Sequence, residues 1–134
     1  MVVNGGISLY IRKSIHSIES VYEAVHDTMF NPKTTYILFD GDEIKSTSQR
    51  YQVFFTKGIR CVSCGIEGKY FAKEKGHGSS QDRYHLNLYA IDENGKEVLM
   101  TKDHIIPRSK GGLNRLENYQ TMCQICNSKK GSEH

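Results

Sequence analysis

Residues Lys102 to Gly131 read KDHIIPRSKGGLNRLENYQTMCQICNSKKG, and this stretch decides how the rest of the chain is understood. An acid and an imidazole stand side by side at Asp103 and His104, and Pro107 with Gly111-Gly112 opens a basic loop. Asn118 closes that loop, Tyr119 to Met122 reads as a short strand, and Cys123-x-x-Cys126 is followed at once by Asn127. Gln124 to Lys130 predicts a short helix ending near Gly131. Upstream, the apolar-rich runs His85 to Ile91 and Glu97 to Ile105 flank Asp92-Glu93-Asn94-Gly95. A hairpin is predicted there, because Asn-Gly tolerates the positive φ of a tight turn. The expected order is strand, strand, loop, short strand, helix.

A second Cys-x-x-Cys, Cys61 and Cys64, completes a set of four thiols. Each pair sets two sulfurs on a tight turn, so the two pairs together suit one tetrahedral Zn²⁺, closed and structural, with no position open for catalysis. Such a clamp would tie the base of the hairpin to the start of the final helix and support a unit that buries little core. Two disulfides would need an oxidising compartment, and a redox pair would use one Cys-x-x-Cys where this chain has two.

The remaining polar residues fit phosphodiester hydrolysis, which needs an activated water, a cation on the scissile phosphate and help for the departing oxygen. His104 is the expected general base, since a neutral imidazole accepts a proton near pH 7. Asp103 offers a carboxylate to a divalent metal, and Asn127, held beside the cysteine knuckle, offers a carboxamide oxygen. Asn118 suits the orienting of His104 through a hydrogen bond. Asn114, beside the glycines, reads as a turn residue. In a flat strand Asp103 and His104 would face opposite ways. Both serve one site only if the strand twists or ends there, which Pro107 favours.

DHIIPRSKGG, then Asn118, then CQICNSKKG resembles the motif of the HNH endonucleases, the ββα-metal superfamily, over Cys61 to about Gly131. The resemblance implies a metal ligand at Asp103, a general base at His104 and a positioning role at Asn118. The family's last motif histidine falls on Asn127, so the chain is similar to HNN variants in which asparagine ligates the metal. Oxygen donors alone favour Mg²⁺ or Mn²⁺. The four-cysteine zinc clamp is similar to that of family members including small bacteriophage enzymes. In the DNA-bound arrangement that the family suggests, Arg108, Lys110, Arg115, Lys129 and Lys130 would neutralise flanking phosphates without reading sequence. One-metal hydrolysis would leave 5′ phosphate and 3′ hydroxyl ends.

Charge supports a nucleic-acid partner locally. From Lys102 to Lys130 six basic residues face two acidic ones, whereas residues 1–60 are almost balanced, with seven bases and six acids. That balance leaves residues 1–60 room for protein docking or a structural role. Ile18, Val21, Tyr22, Val25 and Met29 predict a helix after Ser17 as N-cap, with Pro32 as the stop. Thr34 to Phe39 predicts a strand, Ser46 to Lys57 a helix ended by Gly58, and Gly76 to Ser80 a loop. His16 and His26 read as surface or core-edge side chains, His85 as structural, and His77 and His134 as solvent-exposed.

The expectation is therefore an α+β chain: residues 1–60 form a small α/β region and residues 61–134 a ββα-metal nuclease domain. No apolar run approaches the roughly 18 residues that cross a bilayer, and the N-terminus lacks a secretory layout, so a cytoplasmic location and no membrane partner are expected. A single-site monomer would nick, and a double-strand break would need a dimer or two successive events; a homodimer or a protein partner is compatible with the sequence. The competing reading is a zinc-stabilised nucleic-acid-binding module without cleavage.

Overall fold

Val98 and Met100 are buried while Glu97, Leu99 and Thr101 are only half-buried, the period of a strand with two differently covered faces. In the computed structural model, which describes residues 10–76 and 83–132, that strand is β6 (Glu97–His104). It pairs antiparallel with β5 (His85–Ile91) through the predicted hairpin. Only Gly95 takes a positive φ in the turn (79°), and Asp92 Oδ1 accepts from the Asn94 and Lys96 amides. On its other side β6 pairs with β7 (Tyr119–Cys123), with Asp103 opposite Gln120 and His104 opposite Tyr119. Helix α3 (Gln124–Ser132) follows without a break. The ββα unit is thus β6, the intervening loop, β7 and α3.

The sheet extends beyond that unit. Its order is β1-β4-β5-β6-β7, with β1 at Tyr10–His16 and β4 at Gly68–Gly76, all neighbours antiparallel. Neither β1 nor β4 was expected from sequence. GKYFAKEKG looks polar, yet Phe71, Ala72, Lys73 and Glu74 are all fully buried. The two charges are tolerated because distant residues meet them. Lys73 Nζ donates to Asp42 Oδ2 (2.7 Å) and to the Asp40 carbonyl, while Glu74 accepts from Arg12 Nε (2.6 Å), Tyr89 and Asn87.

The first region contributes α1 (Ile18–Val25), a hairpin of β2 (Tyr36–Phe39) and β3 (Asp42–Lys45), and α2 (Gln49–Lys57). Ser17 caps α1 as expected, accepting from the Ser20 amide at 3.1 Å. The helix stops at Val25, short of Met29, although Met29 is still buried. Helix α2 begins at Gln49, not Ser46, and ends before Gly58, whose φ is 109°. Strand β3 was missed despite Asp40-Gly41, which takes positive φ at both residues (49° and 85°), the requirement of a tight two-residue hairpin turn.

One core joins the two regions. Val21, Val25, Ile44 and Phe54 pack with Phe71, Leu86, Leu88, Met100 and Met122. Residues 1–60 and 61–134 therefore share a sheet and a core, and the boundary at residue 60 is a division of the sequence. Val98 and Met100 point into this core, so the alternate residues Thr101 and Asp103 face the other side, where α3 lies. Among the described residues no helix is long and apolar enough to cross a membrane. His77, His134 and the predicted loop beyond Gly76 lie outside the described residues.

Candidate active site and metal centre

The four cysteines converge as their spacing implies. Their Sγ atoms lie within 4.8 Å of one another, and Cys64 Sγ is 3.8 Å from Cys123 Sγ. A tetrahedral ion with Zn–S bonds of about 2.3 Å would set its sulfurs about 3.8 Å apart, so the donor set fits zinc in both chemistry and size. In each knuckle the fourth residue's amide donates to the first sulfur: Cys64 to Cys61 and Cys126 to Cys123, both at 3.5 Å. Burial pushes the Cys61 thiol up, but amides of Cys64, Cys123 and Ser63 outweigh it and bring the group to about 6. Burial dominates at Cys123, which is pushed up to about 12.

The clamp joins different elements from those expected. Cys61 and Cys64 lie on the turn between α2 and β4, and this turn docks on β7 through Val62 N to Thr121 O (3.0 Å) and Thr121 Oγ1 to Gly58 O (2.5 Å). It therefore ties the α2–β4 turn, and not the base of the β5–β6 hairpin, to the junction of β7 and α3. The reason is register: Cys123 pairs with Met100 on the far side of β6 from β5.

Immediately beyond the clamp, Asp103, His104 and Asn127 line one cleft of about 320 Å³, with Lys102, Arg108 and Lys130. Ending β6 at His104 resolves the conflict between facing directions, because both neighbours reach the space off the strand end. Asp103 is 7% exposed. Its Oδ2 accepts from Gln120 Nε2 (2.9 Å) and Lys130 Nζ (2.6 Å). Lys130 Nζ also donates to the His104 carbonyl at 2.5 Å. Asn127 Nδ2 donates to Thr101 Oγ1 (2.9 Å), which itself donates to the Met122 carbonyl, so the carboxamide has a fixed orientation.

His104 is held by two contacts that the sequence did not reveal. Its Nε2 lies 2.7 Å from Asn114 Oδ1, and its ring meets Tyr119 edge-on at 5.0 Å. An amide oxygen only accepts, so Nε2 carries the hydrogen, and in the neutral tautomer Nδ1 is the nitrogen with a lone pair. Asn118, expected to orient His104, acts one step away. Its Oδ1 accepts from the Ile106 amide (2.8 Å), and its Nδ2 donates to the carbonyls of Ile106 and Leu113. The Asn118 carbonyl accepts from Ile105 N at 2.8 Å. Asn118 therefore fastens the loop whose other asparagine, Asn114, touches the imidazole. Gly112 is required here, because a Cβ at this position would stand 1.8 Å from the Ile106 carbonyl oxygen.

Of the five basic residues expected on phosphates, Arg108 and Lys130 line the cleft, while Lys110, Arg115 and Lys129 are exposed and do not line it. Lys130 points inward onto Asp103. Gln120 was missed because its role depends on the β6–β7 register. In sequence Asn114 has only the signature of a turn residue, and nothing local distinguishes it from one. Lys102, beside the acid, bonds Gln49 Oε1 at 3.0 Å and lies over the Tyr119 ring. Burial, then the charge of Arg50, lowers it from the usual lysine range.

Residues 92–134 match the family model of the HNH endonucleases. The match takes in Asp103, His104, Asn118, Asn127 and the second cysteine pair, and Cys61 and Cys64 lie outside it. No curated protein and no solved structure matches the chain.

Proposed function

We propose that this chain, with an HNH endonuclease segment at residues 92–134, is a divalent-metal-dependent DNA endonuclease that hydrolyses phosphodiester bonds with His104 as general base. The observation that carries the reading is the meeting of Asp103, His104 and Asn127 in one cleft at the end of β6. Asp103 and Asn127 would hold the cation. Both supply oxygen, which suits Mg²⁺ or Mn²⁺ and keeps this site distinct from the all-sulfur cluster. Such a cation, when bound, supplies positive charge to the scissile phosphate and the departing oxygen.

The protein's own residues account for the rest. His104 accepts a proton from water at Nδ1, since Asn114 occupies the hydrogen on Nε2. Tyr119 and Asn114 restrict the ring to one orientation, so little freedom is lost when substrate binds. Gln120 and Lys130 fix one oxygen of Asp103. Arg108 and Lys130 bring positive charge to phosphates entering the cleft, and Asn118 keeps the loop in place from behind.

A labelled DNA duplex incubated with the zinc-loaded protein and Mg²⁺ tests this. Wild type should give fragments with 5′ phosphate and 3′ hydroxyl ends, which a ligase rejoins. His104→Ala should cut at least 100-fold more slowly, the order expected for a lost general base. Cutting by His104→Ala at the wild-type rate would remove His104 from the chemistry.

A further inference from the structure

Strands β5 and β6 do not stay together. Their pairing covers Tyr89 with Leu99, Ala90 with Val98 and Ile91 with Glu97. From there β5 continues toward His85 on β4, while β6 continues toward His104 on β7. The wedge between them holds a cavity of about 270 Å³, lined by Tyr10, Ser48, Arg50, Asn87, Thr101 and Lys102 among others. Lys102 also lines the catalytic cleft, so the two spaces share a wall. Thr101 binds Asn127 through the same stretch of strand.

Two cations meet in this wedge. Arg50 donates to Asn87 Oδ1 at 2.5 Å, and Lys102 donates to Gln49 Oε1 at 3.0 Å. Both partners are neutral amides, and among the described residues neither cation forms an ion pair. Like charges in one partly buried cleft repel, and desolvation adds to the cost. Arg50 also lies in the first turn of α2, where the helix's own dipole disfavours a cation. The arrangement costs stability in the free chain; the Tyr119 ring under Lys102 relieves part of it, and a bound anion would offset the rest. One donor of the guanidinium is engaged by Asn87, so the fork has others to offer a phosphate oxygen.

We infer that the β5–β6 wedge is a second phosphate-binding subsite, in which Arg50 and Lys102 hold a backbone phosphate flanking the scissile one. This rests on the nuclease reading for the identity of the anion, and it gives residues 1–60 a part in gripping substrate despite their balanced charge. The subsite adds affinity without sequence preference, because it meets only backbone.

The test is duplex binding by the zinc-loaded full chain in a His104→Ala background, followed by fluorescence anisotropy of a labelled duplex across a range of KCl concentrations. Arg50→Gln and Lys102→Gln should each weaken binding about tenfold at low salt and reduce the salt slope by about 0.9, the loss of one phosphate contact. Lys69→Gln, exposed on β4, should change neither. If Arg50→Gln melts early, Lys102→Gln and the charge-keeping Arg50→Lys decide the matter. Unchanged affinity and slope in the folded variants overturn the subsite. Plasmid cleavage by wild type reports on the nuclease separately. Cleavage with unchanged slopes removes only the wedge, and reduced slopes without cleavage remove only the nuclease reading.

Discussion

Asn114 and Asn118 stand four residues apart on one loop and hold different things. Asn114 meets the ring of His104, whereas Asn118 bonds the backbone of Ile106 and Leu113. Asn114→Ala should therefore act on the chemical step, lowering kcat by about 10–100-fold through loss of ring orientation while KM changes little. Steady-state kinetics on a short duplex separate the two constants. Gly112→Ala should act on the loop. Its methyl group would overlap the Ile106 carbonyl and press on Asn118 Nδ2 at 2.9 Å, so the loop must move. Loss of most activity is expected with zinc content and melting temperature nearly unchanged, because neither the core nor the clamp is touched. Retained activity would show that the loop tolerates displacement.

At the scale of elements, the four-cysteine cluster joins the α2–β4 turn to the β7–α3 junction, so a zinc ion there would support the base of the helix that carries Asn127 and Lys130. Elemental analysis should find one zinc per chain. Chelation, or Cys123→Ser, should cost several kcal/mol and lower the melting temperature by roughly 10 °C or more. Zinc affinity should fall as pH falls, because protons compete for the thiolates. Surrounding amides pull Cys61 below the usual thiol range, whereas burial pushes Cys123 above it, so binding zinc must draw a proton from the cluster. Calorimetry in buffers of different ionisation enthalpy should therefore register proton release on binding. The elements of this unit were legible because their signals are local: apolar-rich runs at β5 and β6, Asn94-Gly95 between them, and cysteine spacing around β7 and α3. Strands β1 and β4 were not legible, because Lys73 and Glu74 become tolerable only when Asp42, Arg12, Asn87 and Tyr89 arrive from elsewhere. The cluster of site residues followed from motif order, but its geometry depended on register, which no local signal carries.

The molecule as a whole depends on contacts between its two regions. Arg12 on β1 donates to Glu74 and, bidentately, to Glu97, where Tyr70 also bonds. Glu74 is fully buried, so Arg12→Ala should leave a carboxylate without its cation and cost about 3–5 kcal/mol in urea unfolding. For the same reason a fragment beginning at Cys61 should fail to give a cooperative melt, since it lacks β1, Arg12 and the Val21, Val25 and Phe54 part of the core. The charge that grips DNA would also come from both regions, through Arg50 and Lys102. The most direct measurement of the central claim is a plasmid assay. Zinc-loaded wild type with Mg²⁺ should convert supercoiled DNA to the open-circular form, and omission of Mg²⁺ or His104→Ala should abolish conversion. Supercoiled DNA left intact by folded, zinc-bound wild type in both Mg²⁺ and Mn²⁺ would contradict the assignment of this cleft to cleavage.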